Sequence, residues 1–68
     1  MTLRRSIMRE EPLCRLKLAG CEQFASEVDH IQPLSLGGHP TDRDNLQPVC
    51  HSCHLRKTQF DVGNTNTL

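Results

Sequence analysis

Four cysteines and a small set of acid and histidine residues carry whatever reactive chemistry this chain can do. Cys50-His51-Ser52-Cys53 is a C-x2-C knuckle. That spacing lets two thiolates reach one tetrahedral zinc ion from a single turn. Cys14 and Cys21 form a wider pair with six residues between them, and Gly20 can help that loop bend back. Two pairs and no fifth cysteine predict a four-thiolate structural zinc. Three other readings stay open on spacing alone, the plainest being that Cys14 and Cys21 are simply small buried hydrophobes. The cysteines could form disulfides, or residues 50–54 could be read as the C-x-x-C-H signature of c-type haem attachment. Against haem stand the second cysteine pair and the absence of any methionine after Met8 as a downstream axial ligand.

Asp29 and His30 are neighbours, and His54 follows the knuckle directly. If the knuckle folds back, Asp29 and His54 can meet around one divalent ion. An oxygen and nitrogen ligand pair suits a hard or borderline metal that keeps positions open for water and phosphate. A histidine's ordinary titration range lets His30 take a proton from attacking water near neutral pH. One difficulty is geometric. Strict strand alternation sends Asp29 and His30 to opposite faces, so the strand must bulge or end there.

These residues need elements to position them. Leu3, Ile7 and Met8 fit one face of a short helix over residues 2–10, stopped by Glu10-Glu11-Pro12. Residues 27–32 read as a strand with β-branched Val28 and Ile31, closed by Pro33. SLGGHPTDRDN is a loop, in which Gly37 and Gly38 serve backbone geometry and Asn45 suits a turn. Leu46 to Val49 reads as a return strand. Ser52 is positioned to cap a helix from Cys53 to about Phe60, with Gly63 as its stop and a flexible tail at 61–68. The expected organisation is a helical segment at 1–11, a functional domain at 12–60 and that tail.

The segments PLC, EVDHIQPLSLGG, DNLQPVC and CHSCHLRKT, in that order, resemble the HNH endonucleases, in particular the small phage and actinobacterial type. The resemblance covers residues 12–58. It implies a small zinc-stabilised α+β fold of the ββα-metal, treble-clef-like kind, here with a short N-terminal helix. It implies His30 as general base, Asn45 as the residue that pins the loop and orients His30, and Asp29 with His54 as ligands of a catalytic divalent ion (Mg2+, Mn2+, Ni2+ or Zn2+). Cys14, Cys21, Cys50 and Cys53 would hold the structural zinc. The commoner family pattern has C-x2-C in the first pair, whereas here Lys17 occupies that fourth position. Lys57, in the CH-x-x-K position, Arg56 and His39 are candidate DNA contacts. The implied activity is hydrolysis of DNA phosphodiester bonds to 5′-phosphate and 3′-hydroxyl ends. A packaging partner such as a phage terminase is an expectation of the same kind.

Composition sets the limits. Sixty-eight residues with 35% apolar content, two Phe and no Trp or Tyr make a core too small to offset chain entropy comfortably, so a staple is expected. Eight basic and eight acidic side chains cancel, so binding to DNA unaided should be weak and salt-sensitive. No signal-peptide pattern and no membrane span are read, which leads to the expectation of a cytoplasmic protein, in the host cell if phage-encoded. The competing function class is a zinc-stapled DNA-binding or protein-docking module without catalysis. Its weakness is that a binder needs none of Asp29, His30, Asn45 and His54. Monomer and dimer are equally compatible with the sequence.

Overall fold

The computed structural model describes residues 2–60. A helix α1 (Leu3–Glu10) leads through an irregular cysteine loop to strand β1 (Glu27–His30). A long connection with two short 3-10 turns returns to strand β2 (Leu46–Val49), and helix α2 (His51–Phe60) follows at once. The two strands pair antiparallel, with Glu27 opposite Val49, Val28 opposite Pro48, Asp29 opposite Gln47 and His30 opposite Leu46.

Alternation along this hairpin divides the molecule into two layers. Val28 and Leu46 share one face and pack with buried Ile7 of α1, Met8 lying against them. Val49 belongs to the other face, where it packs with Cys14, Cys50 and Cys53, flanked by Leu16, Leu18 and Cys21. The hairpin is therefore sandwiched between α1 and the cysteine-bearing elements. Neither apolar cluster is large, as the composition requires. The residues at 61–68, expected to be a tail, and Gly63 with its stop signal lie outside the described residues.

Helix α1 begins where the sequence places it. Thr2 caps it, its Oγ1 accepting from the Arg5 amide at 3.2 Å. The helix is tied to the rest by more than its apolar face. Arg4 donates to the Ser26 carbonyl at 2.7 Å. Arg43 forms ion pairs with Glu10 and Glu11 and donates to the Leu46 carbonyl at 2.8 Å.

Two boundaries differ from the sequence reading. β1 stops at His30 rather than residue 32. The Asn45 side chain takes both polar groups of the Gln32 backbone, accepting from its amide at 2.7 Å and donating to its carbonyl at 3.2 Å, which pulls the chain off the ladder. α2 starts at His51, ahead of Ser52. The His54 amide already donates to the Cys50 carbonyl, and the Cys53 amide points to Cys50 Sγ at 3.4 Å, so Cys50 fills the cap position. Ser52 does not cap the helix itself. Its amide and hydroxyl both donate to Glu22 at 3.0 Å, and this carboxylate complements the positive helix start.

Candidate functional site

The Sγ atoms of Cys14, Cys21, Cys50 and Cys53 all lie within 4.8 Å of one another. Zn–S bonds of ~2.3 Å put tetrahedral sulfurs just under ~4 Å apart, and the Cys50–Cys21 separation is 3.9 Å. The donor set thus fits zinc by type, number and spacing. The wide first pair closes because Lys17 and Gly20 both adopt left-handed backbone, at φ 50° and 83°, and the Cys21 amide turns back onto the Leu18 carbonyl. Backbone amides also face the sulfurs: Glu22 and Cys53 to Cys50, and Gln23 to Cys21. Such donors suit thiolates. The four thiols are not equivalent. Burial opposes ionisation of Cys14, but backbone hydrogen bonds led by Lys17 outweigh it and bring the thiol down to about 7. Burial pushes Cys53 up to about 12, and the thiols crowded around it reinforce that shift.

Beside this cluster, β1 and α2 bring an acid and a histidine together. Asp29 is fully buried and His54 nearly so. Asp29 Oδ1 lies 3.5 Å from His54 Nε2. Two atoms ligating one divalent ion sit roughly 3 Å apart, so this oxygen and nitrogen fit a shared ion with little movement. The buried carboxylate is held from two more sides. Gln47, its cross-strand partner, donates to Oδ2 at 2.8 Å. Lys57 places its ammonium 3.3 and 3.2 Å from the two carboxylate oxygens and donates to the His30 carbonyl at 3.1 Å.

The opposite side of the His54 ring meets a second carboxylate. His54 Nδ1 is 2.5 Å from Glu27 Oε1, and His51 Nδ1 is 2.5 Å from Glu27 Oε2. Burial works against the Glu27 anion, yet the hydrogen bonds from His54 and His51 prevail and hold its carboxyl below the ordinary range.

His30 is the last residue of β1 and still pairs with Leu46, so alternation along the ladder sets it on the face opposite Asp29, and the strand ends only after it. Its Nε2 lies 2.8 Å from the Pro40 carbonyl. Asn45 pins the long connection through Gln32 and through the His39 carbonyl, to which it donates at 2.9 Å. The Asn45 bonds run to loop backbone, placing it as the clasp of the segment that supplies Pro40. Gly38 lies under this clasp. A β-carbon there would fall 1.9 Å from the Gln32 carbonyl oxygen, so only glycine fits. His39 and Arg56 are exposed. His39 Nδ1 accepts from the Thr41 and Asp42 amides at 3.1 and 3.0 Å. Lys57, by contrast, turns onto Asp29.

Glu27, Gln47 and Glu22 escaped the sequence reading. Each is an ordinary surface residue type, and its partner is far away along the chain. The only available signal was the strand register, which puts Glu27 and Asp29 on one face and Gln47 beside Asp29.

Among the described residues no helix is long and apolar enough to cross a membrane. The family model for HNH endonuclease matches residues 13–60, which includes the whole hairpin, α2 and all four cysteines. The Gene 4 protein of Mycobacterium phage L5 is 41% identical over 46 residues, covering 68% of this chain and 43% of that protein. The Gene 4 protein of Mycobacterium phage D29 is 39% identical over the same length, again 68% of this chain and 43% of the relative. The DNA annealing helicase and endonuclease ZRANB3 of Bos taurus is 50% identical over 32 residues, which is 47% of this chain and 3% of that much longer protein. The chain thus spans less than half the length of the phage relatives it matches. No solved structure matches it. With a ββα hairpin-and-helix, a four-cysteine cluster and a family match over most of its length, the chain belongs to the HNH endonuclease family.

Proposed function

We propose that this chain is a metal-dependent endonuclease that hydrolyses DNA phosphodiester bonds. The observation that carries the reading is the 3.5 Å approach of Asp29 Oδ1 and His54 Nε2, both of them buried. In this reading Asp29 and His54 hold one divalent ion. When bound, such an ion stabilises charge on the phosphate and on the leaving 3′-oxygen.

The rest falls to the chain's own side chains. A carbonyl oxygen can only accept, so the contact with Pro40 puts the His30 proton on Nε2 and leaves the lone pair on Nδ1. His30 Nδ1 then takes the proton of the attacking water. Asn45 acts on His30 through the loop, holding the segment that carries the Pro40 carbonyl. Gln47 and Lys57 keep Asp29 oriented and offset the cost of burying its charge. Lys57 serves the carboxylate in this arrangement, and Arg56 and His39 contact DNA. The His39 ring has Nδ1 taken by two amides, so Nε2 carries the proton and can donate to a phosphate oxygen. The zinc cluster lies apart from the chemistry and fixes α2, with His54, against the hairpin.

A net charge of zero leaves little attraction for DNA, so we include a partner protein in the reading. The similar phage proteins favour a host-cytoplasmic setting; a DNA-packaging partner such as a terminase is part of the reading on the family resemblance alone. The test is plasmid nicking with Mg2+, Mn2+ or Ni2+, with and without EDTA. Metal-dependent cutting by the zinc-loaded protein supports the nuclease reading. No cutting with any of the metals, alongside retained DNA binding, would favour the non-catalytic module.

A further inference from the structure

His54 stands between two carboxylates, and this determines which of its nitrogens can ligate. Asp29 Oδ1 faces Nε2 at 3.5 Å, and Glu27 Oε1 faces Nδ1 at 2.5 Å. A neutral imidazole has one N–H and one lone pair, so the two carboxylates compete for a single proton. The shorter contact is with Glu27. The Glu27 carboxylate is itself gripped by His51 through its second oxygen and sits only partly exposed at the start of β1. We propose that Glu27 is a positioning residue that draws the His54 proton to Nδ1, so that Nε2 presents its lone pair toward Asp29 as the ligating atom. This rests on the proposed ion site between Asp29 and His54.

The alternative tautomer explains why a positioning group is needed. With the proton on Nε2, His54 would donate toward Asp29 Oδ1, pairing the two candidate ligands with each other and closing the site. Nothing in the identity of either residue prevents that. The Glu27 side chain does, by offering the better acceptor on the far side of the ring. A carboxylate behind a ligating histidine also raises its basicity and fixes its ring.

The experiment uses the zinc-loaded full chain at pH 8 and compares wild type with Glu27→Ala and Glu27→Gln. Long-range 1H–15N correlation of the imidazole reads the His54 tautomer without any second metal, and calorimetric titration with Ni2+ reads its affinity. Expected are an Nδ1-protonated ring in wild type and a shift toward Nε2–H in Glu27→Ala. Ni2+ affinity should fall ~10- to 100-fold in that variant. Glu27→Gln keeps an acceptor oxygen and should restore the wild-type tautomer and most of the affinity. Zinc content and thermal unfolding check that each variant is folded. If Glu27→Ala misfolds, the Glu27→Gln and wild-type spectra still decide. A wild-type ring without a proton on Nδ1 would overturn the proposal, as would a folded Glu27→Ala with unchanged tautomer and Ni2+ affinity. Wild type that binds no ion beyond its zinc would defeat the ion site, an outcome the tautomer signal keeps separate.

Discussion

Asp29 on β1 and His54 on α2 meet at 3.5 Å although 24 residues separate them, and the four-cysteine cluster lies next to the helix end that carries His54. The Asp29–His54 pair and the four-cysteine cluster are therefore linked through a single turn. Cys50 and Cys53 set where α2 begins, and α2 sets where His54 points.

Removing the base should separate chemistry from folding. His30→Ala is expected to keep its zinc content and unfolding temperature while nicking falls roughly 10²- to 10⁴-fold. Nicking at the wild-type rate by a folded variant would reassign the base.

The zinc cluster should control folding and be lost in acid. Cys50→Ser is expected to lose zinc and the cooperative unfolding transition, because metal binding and folding are one equilibrium in a domain this small. Ligation requires thiolates, and Cys53, pushed up to about 12 by burial, must release a proton to bind. Protons therefore compete with zinc. Affinity rises with pH and falls as pH drops, and circular dichroism should show unfolding together with zinc release on acidification. A fold that persists after zinc is chelated would contradict this.

The long connection should depend on its clasp. Gly38→Ala puts a methyl group against the Gln32 carbonyl, where only backbone movement can relieve the overlap. Asn45→Ala removes the bonds to Gln32 and His39. Each is expected to cost about 1–3 kcal/mol in urea unfolding. Each should also lower nicking, because Pro40 and its contact with His30 ride on this segment. Unchanged stability and activity in both variants would remove the clasp from the account.

Helix α1 precedes the family match yet supplies Ile7, one of the three buried residues of one core cluster. Ile7→Ala is expected to destabilise the domain by about 2–5 kcal/mol in denaturant unfolding. An effect below about 0.5 kcal/mol would mean that α1 is dispensable.

The sequence made the cysteine quartet, Asp29, His30 and His54 legible as candidates by residue type and placement, whereas Asn45 read as a turn residue and became a candidate only through the family resemblance. The order of elements was legible too, since β-branched runs, Gly-Gly and Pro mark the hairpin. The long-range contacts were hidden. Glu27 reads as a solvated strand residue until α2 folds over it, and Gln47 until β2 pairs with β1. The early end of β1 was hidden as well, because the side chain that ends it comes from Asn45, thirteen positions beyond Gln32. The start of α2 was misplaced by one rule of thumb: serine caps helices often and cysteine seldom. Here Cys50 of the cysteine cluster occupies the cap, and a distant glutamate binds the serine.

The most direct test of the shared ion site is a Mn2+ or Ni2+ titration of the zinc-loaded chain, with zinc content measured in parallel. The expected result is one additional ion bound by the wild-type protein, lost from Asp29→Ala and from His54→Ala while both variants keep their zinc. Binding of that ion by both variants with wild-type stoichiometry and affinity would contradict the account.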